Sequence, residues 1–215
     1  MKVGENRLSS SSRSSNAIAR QHLDELKAKG TSSAKSILLF YEHYPVFTIG
    51  IRNKSVDSAE KKRLEDLGAE FHFTNRGGLL TFHGPGQLVL LSSFEPGLFK
   101  KSLRWYVASL EKTLVETCKS LMCLQALRAT LECVRSSRWI TTHGIALNCD
   151  IDLSWFEHFI PCGLEGKGVT SLSKETKQTI QPQDTIPAFI ESFQNVFDCT
   201  VVSDNGKDLR TDGVL

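Results

Sequence analysis

Apolar runs of strand length recur along this chain: "SILLFYEHYPVFTIGI", "AEFHFT", "QLVLLSSF", "HGIALNCDID" and "CTVVSD". Pro45 splits the first into strand, turn and strand. "AEFHFT" alternates, as do Ile145, Leu147, Cys149 and Ile151, with the period of a half-buried strand. Helical spacing appears before and between these runs. Leu103, Val107, Leu110, Leu114 and Cys118 form one apolar face over 102–120, with Ser102 as cap. "SVDSAEKKRLEDLG" is a charged helix stopped by Gly68, and "NAIARQHLDELKAK" is a helix stopped by Gly30. "DLSWFEHF" predicts a short helix ending before Pro161, and "IPAFIESFQNVF" an amphipathic one. Strands and helices do not follow a strict βαβ order. The expected class is therefore α+β, a mixed, largely antiparallel sheet flanked by helices, not a doubly wound sheet.

One folded region is expected over 16–204, between a loose or transit-like start at 1–15 and a flexible tail at 205–215. The Ser-rich start carries Lys2, Arg7, Arg13 and Arg20, which suits an organelle transit peptide or an unstructured end equally. No apolar run approaches the roughly 20 residues needed to cross a bilayer, so no membrane span is expected. A net charge of +2 does not argue for nucleic acid. The six cysteines lack CxxC spacing, which predicts mostly buried thiols in a reducing compartment and no metal site.

Two stretches carry candidate chemistry. In "NRGGLLTFHGPGQLVLL", Arg76 offers a fixed cation beside Gly77 and Gly78, and His83 an acid–base or hydrogen-bonding group. Glycine is costly in backbone entropy, so the cluster marks a turn or a close approach to the backbone. The plain alternative is a glycine-rich hairpin with a surface histidine. The spacing does not match a phosphate-binding P-loop. The second stretch, 142–172, repeats a His-Gly pair at His143-Gly144 and then places Cys162 between Pro161 and Gly163. A cysteine on such a tight turn can hold its sulfur clear of the backbone, as a nucleophile requires.

Taken together, "RGGLLTFHGPGQ", "HGIALN", "DLSWFEHFIPCG" and "VTSLSKE" closely resemble the lipoyl(octanoyl) transferases, the lipoate-biosynthesis B family. "TTHGIALNC", "WFEH" and "PCGL" resemble its animal mitochondrial branch. The resemblance implies the fold shared with biotin and lipoate protein ligases. It implies transfer of an octanoyl group from acyl carrier protein to a lysine of a lipoyl domain, such as the glycine cleavage H protein or a 2-oxoacid dehydrogenase E2 subunit. It makes Cys162 the residue that carries the acyl group as a thioester. It places Arg76, Gly77, Gly78, Leu79, Leu80, Thr81, Phe82 and His83, with Gly144, Ile145 and Ala146, along the acyl pocket. No cofactor or metal is implied, and a mitochondrial monomer is expected.

The chain also departs from that family, which pairs its cysteine with an upstream lysine that lowers the thiol pKa. Here no lysine lies between Lys119 and Lys167, and the region "SLMCLQALRATLECVRSSRW" is short by about a dozen residues against the family pattern. Three readings follow. Arg128 takes the lysine's place, with Arg135 and Arg138 also near in sequence; a splice or gene-reading event has removed a core strand; or the chain is a non-catalytic acyl- or lipoyl-domain-binding form. Arginine would supply charge but is a poor proton shuttle.

Overall fold

The computed structural model describes residues 2–3, 37–50, 56–74, 79–93, 102–121, 136–137, 140–141, 145–161 and 168–203. Two three-stranded sheets form the frame. In the first, β6 (Gln87–Ser93) runs antiparallel to both β2 (Ile37–Tyr41) and β9 (Ile145–Asn148). In the second, β3 (Val46–Ile49) pairs parallel with β4 (Glu70–Phe73) and antiparallel with β5 (Thr81–His83). The expected mixed, largely antiparallel arrangement is present, divided between two sheets. Strands β2 and β3 flank Pro45 as expected, yet they join different sheets and form no hairpin.

Helix α1 (Ser58–Glu65) connects β3 to β4 and makes their parallel pairing possible. Asp57 caps it by accepting from the Glu60 N–H at 2.8 Å, and Gly68 follows with φ +93°. Helix α2 (Leu103–Ser120) begins at Ser102, whose hydroxyl accepts from the Trp105 N–H at 3.2 Å. Tyr106, Leu110, Leu114 and Cys118 recur at helical spacing and are buried. Thr113 and Thr117 share that buried side. Their hydroxyls donate back to the carbonyls of Ser109 and Thr113, so neither is left unmatched by its burial.

Residues 153–158 form a short 3-10 helix, and the short α3 spans Leu172–Thr176. Helix α4 runs Pro182–Phe197, beginning before the stretch read from the sequence. Pro182 opens it, where a missing N–H costs nothing, and the Gln181 N–H donates to the Asp184 carboxylate at 3.1 Å. Phe189, Phe193 and Phe197 recur every fourth residue and stack, with 4.2 Å between the last two ring centres. Phe40 of β2 meets Phe189 edge-on at 5.6 Å, and Trp105 meets Phe197 in the same way. Thus α2 and α4 cover one face of β2–β6–β9 and bury Leu38, Phe40, Leu88, Leu90, Ile145 and Leu147.

Two small pairings complete the described structure. Strand β7 (Ser136–Ser137) pairs antiparallel with β8 (Ile140–Thr141). Strand β10 (Val202–Ser203) pairs in parallel with β1 (Lys2–Val3), so two residues of the start expected to be loose are tied to the last strand. The expected helix over 16–29 lies outside the described residues.

Candidate active site

Strand alternation decides where each residue of β5 points. Leu80 and Phe82 face the buried cluster that also holds Phe47, Ile49 and Phe71, beneath the 3-10 helix. Thr81 and His83 take the opposite face. His83 is only 6% exposed, which rules out the surface-histidine reading of this loop. Its ring lies 5.4 Å from that of His43, just beyond β2, and His43 in turn meets Tyr41 edge-on at 4.9 Å.

On β2–β6–β9 the same alternation puts Gln87, Val89, Ala146 and Asn148 on the face away from the helices. The two sheets therefore meet at His83 and Gln87, where His83 Nδ1 and Gln87 Oε1 are 2.6 Å apart. Gln87 Nε2 donates to Asn148 Oδ1 at 2.8 Å, across the register pair that joins β6 to β9. Asn148 Nδ2 donates to the Thr170 carbonyl at 3.1 Å, and the Thr170 hydroxyl donates to Glu175 on α3. A polar line thus runs from β5 through β6 and β9 to the segment entering α3. Ser171 caps that helix, accepting from the Lys174 N–H at 3.3 Å.

The 3-10 helix closes the other side. Trp155 stacks on Phe82 with ring centres 4.7 Å apart and planes 11° from parallel. Phe159 meets Phe47 edge-on at 5.6 Å, and Arg63 of α1 donates to the His158 carbonyl at 2.6 Å. The chain reaching Pro161 is thereby fastened to β3 and β5. The chain resuming at Gly168 is fastened to β9 through Thr170. The chain on either side of 162–167 is thus anchored, on one side to β3 and to β5, which carries His83, and on the other to β9, which pairs with the strand carrying Gln87.

Gly86 sets the corner between β5 and β6. Its φ is +83°, and a Cβ there would lie 2.3 Å from the Asp150 carbonyl oxygen. Its own carbonyl accepts from the N–H groups of Cys149 and Asp150, and its N–H donates to Glu42 at 2.5 Å. The close approach that this glycine permits is to the chain itself, just beyond Asn148. Gln87 and Asn148 are brought level by that contact.

The described thiols do not suit nucleophilic work. Burial pushes the Cys149 thiol up to about 12, although the Thr185 hydroxyl bonded to it pulls the other way. Burial also raises Cys199, and Cys118 is fully enclosed between α2 and the sheet. These are the inert thiols expected for Cys118 and Cys149. No group of three or more metal-ligating side chains occurs among the described residues.

Of the expected pocket residues, Leu79, Leu80, Thr81, Phe82 and His83 lie on or just before β5, with Leu79 half-buried and the rest buried. Ala146 shares the face of Gln87 and Asn148. Ile145 points the other way, into the helix-covered core, so its side chain serves packing. Arg76, Gly77, Gly78, Gly144 and Cys162 lie outside the described residues, as do Arg128, Arg135, Arg138, His143 and Lys167. Trp105 and Trp155 are packing groups, as expected. Gln87, Asn148 and Thr170 were inside the quoted motifs yet had no role assigned. The available signal was a lone polar side chain at each end of an apolar strand, in "QLVLL" and "IALN".

The sequence matches the lipoyl protein ligase A/B catalytic domain over residues 17–130 and 133–194. It is 44% identical over 197 residues to a Danio rerio protein named octanoyl-[acyl-carrier-protein]:protein N-octanoyltransferase LIPT2, mitochondrial, spanning 85% of this chain and 84% of that one. It is 41% identical over 195 residues to the Homo sapiens protein of the same name, spanning 84% of each. The fold is similar to that of lipoate-protein ligase A bound with ATP, with a TM-score of 0.69 at 14% identity over 96% of this chain and 89% of that one. It is also similar to a bipartite lipoate protein ligase from Thermoplasma acidophilum, with a TM-score of 0.62 at 13% identity over 96% and 87%.

Proposed function

The chain belongs to the lipoyl protein ligase A/B catalytic-domain family, and on that premise we propose that it is a mitochondrial octanoyltransferase of lipoate biosynthesis, using Cys162 as nucleophile. The donor is octanoyl-acyl carrier protein and the acceptor a lysine of a lipoyl domain. The Cys162 thiolate attacks the donor's thioester carbonyl; the new C–S bond forms as the carrier's thiolate departs and takes up a proton. The lipoyl-domain amine then attacks the enzyme thioester, loses a proton on becoming an amide, and expels the Cys162 thiolate.

The observation that supports this reading is the anchoring of the chain on both sides of the Cys162 segment. Trp155 on Phe82 holds one flank, and Asn148 on the Thr170 carbonyl holds the other. With the Ile145 side chain turned away into the helix-covered core, the acyl chain would lie along the main chain of 76–83 and 144–146. Burying its methylenes at roughly 0.8 kcal/mol each would contribute about 5 kcal/mol before ordering costs.

Intact mass after incubation with octanoyl-acyl carrier protein tests the proposal. An adduct of about +126 Da, the mass of an octanoyl group replacing a hydrogen, is expected, and it should vanish in Cys162→Ser. No adduct from folded protein would overturn it. The second reading, a non-catalytic acyl- or lipoyl-domain-binding form, rests on the missing lysine between Lys119 and Lys167. It predicts retained binding of either partner with no adduct. If instead Arg128 replaces that lysine, Arg128→Gln should slow adduct formation and raise the pH at which it proceeds.

A further inference from the structure

The polar line through β5, β6 and β9 has a direction, and one atom sets it. A backbone carbonyl can only accept, so Asn148 must turn its NH2 toward Thr170 O and its oxygen toward Gln87. Gln87 then presents its NH2 to Asn148 and its own oxygen to His83. An amide oxygen can only accept, so the His83 nitrogen facing it, Nδ1, must carry a proton. In the neutral ring the lone pair is then on Nε2.

We propose that Gln87 and Asn148 are positioning residues of the acyl-transfer reaction: through them the Thr170 carbonyl holds His83 as the Nδ1–H tautomer, with Nε2 as a proton acceptor. This rests on the octanoyltransferase reading for its chemistry but not for its geometry. The transfer needs a group that takes a proton from an attacking atom and returns it to a departing thiolate. A neutral imidazole held in one tautomer meets that need near neutral pH. Gln87 is 3% exposed and His83 6%, so water does not replace either partner readily. Other titratable groups close by are His43, whose ring faces that of His83, and Glu42, whose carboxylate accepts from the Gly86 N–H. Glu175 is at the far end of the line.

The test is a long-range proton–nitrogen correlation spectrum of the full chain with 15N-labelled histidine, taken above the imidazole titration. His83 signals are assigned by their loss in His83→Gln. The expected result is the Nδ1–H tautomer. An Nε2–H tautomer in the unaltered protein overturns the proposal without recourse to any variant. Gln87→Leu should move the ring toward Nε2–H and lower kcat about 100-fold, with little change in KM. Gln87→Glu should restore Nδ1–H, recover part of kcat, and shift the lower limb of the pH profile upward, because a carboxylate favours imidazolium. A folded Gln87→Leu with unchanged tautomer or unchanged kcat also overturns it. The expected tautomer without any octanoyl adduct would instead sink the acyl-transfer reading while leaving the hydrogen-bond assignment intact.

Discussion

Replacing Gly86 by alanine should be far more damaging than replacing Gly68, although both glycines have positive φ. At Gly68, φ is +93° and an added Cβ meets nothing within 4 Å, so Gly68→Ala carries backbone strain alone. That strain is about 1–2 kcal/mol. At Gly86, φ is +83° and the new Cβ would sit 2.3 Å from Asp150 O, 2.5 Å from its carbon and 2.6 Å from Ile151 N. All three are backbone atoms, so no side chain can swing aside. The obstructing segment is also held to Gly86 by hydrogen bonds from Cys149 and Asp150 to its carbonyl, at 3.0 and 2.9 Å. Relief of the clash therefore costs overpacking strain of about 1–3 kcal/mol and about 1 kcal/mol for each bond lost. With the same backbone strain of about 1–2 kcal/mol added and both bonds lost, the expected total is about 4–7 kcal/mol, against about 1–2 for Gly68→Ala. Urea unfolding followed by tryptophan fluorescence reads both on one scale, provided the slopes agree. In a domain of this size, a melting scan should show a drop of about 10 °C or more for Gly86→Ala. Equal losses in the two variants would refute the claim that contact between Gly86 and Asp150 holds the β5–β6 corner against the end of β9.

Two further outcomes are expected. Trp155→Ala removes the ring stacked on Phe82 and the edge contact to Phe47, and should destabilise the fold by about 3 kcal/mol in denaturant titration, most of it recovered by Trp155→Phe. Cys149 is held protonated by burial up to about 12, whereas in the unfolded chain it ionises near its ordinary value. The folded state then binds the extra proton between those two values. Stability contributed by this thiol is complete below pH about 8.5 and falls by about 1.4 kcal/mol per pH unit above it, until the folded thiol ionises. Unfolding curves across pH 8 to 11 should show a slope in the unaltered chain that is steeper by that amount than in Cys149→Ala, where the raised Cys199 thiol still contributes.

The elements could be read locally because their signals are local. Ser102 and Asp57 are side chains that satisfy helix-end N–H groups within three residues. The alternation in "AEFHFT" and "HGIALN" follows from side chains pointing to opposite faces of a strand. Even Cys118 and Cys149 could be assigned to the interior, since each falls on the apolar phase of its element. The motif residues were legible by resemblance, and the family assignment follows from the same stretches.

Tertiary structure alone decided how those stretches face one another. Pro45 marks a break between β2 and β3, but nothing in the run states that the two strands belong to different sheets. His83 in "TFHGPG" suits an exposed turn as well as an interior site; it is buried because β5 closes against β3 while Gln87 and His43 come in from the other sheet. Gln87, Asn148 and Thr170 lie far apart along the chain, and each by itself is an ordinary polar residue. Their hydrogen bonds exist only once β6 and β9 pair in register. Local sequence encodes propensity and face, because those depend on neighbours a few residues away. The direction of a buried polar line depends on long-range register and on a single backbone carbonyl, and only the folded chain supplies both.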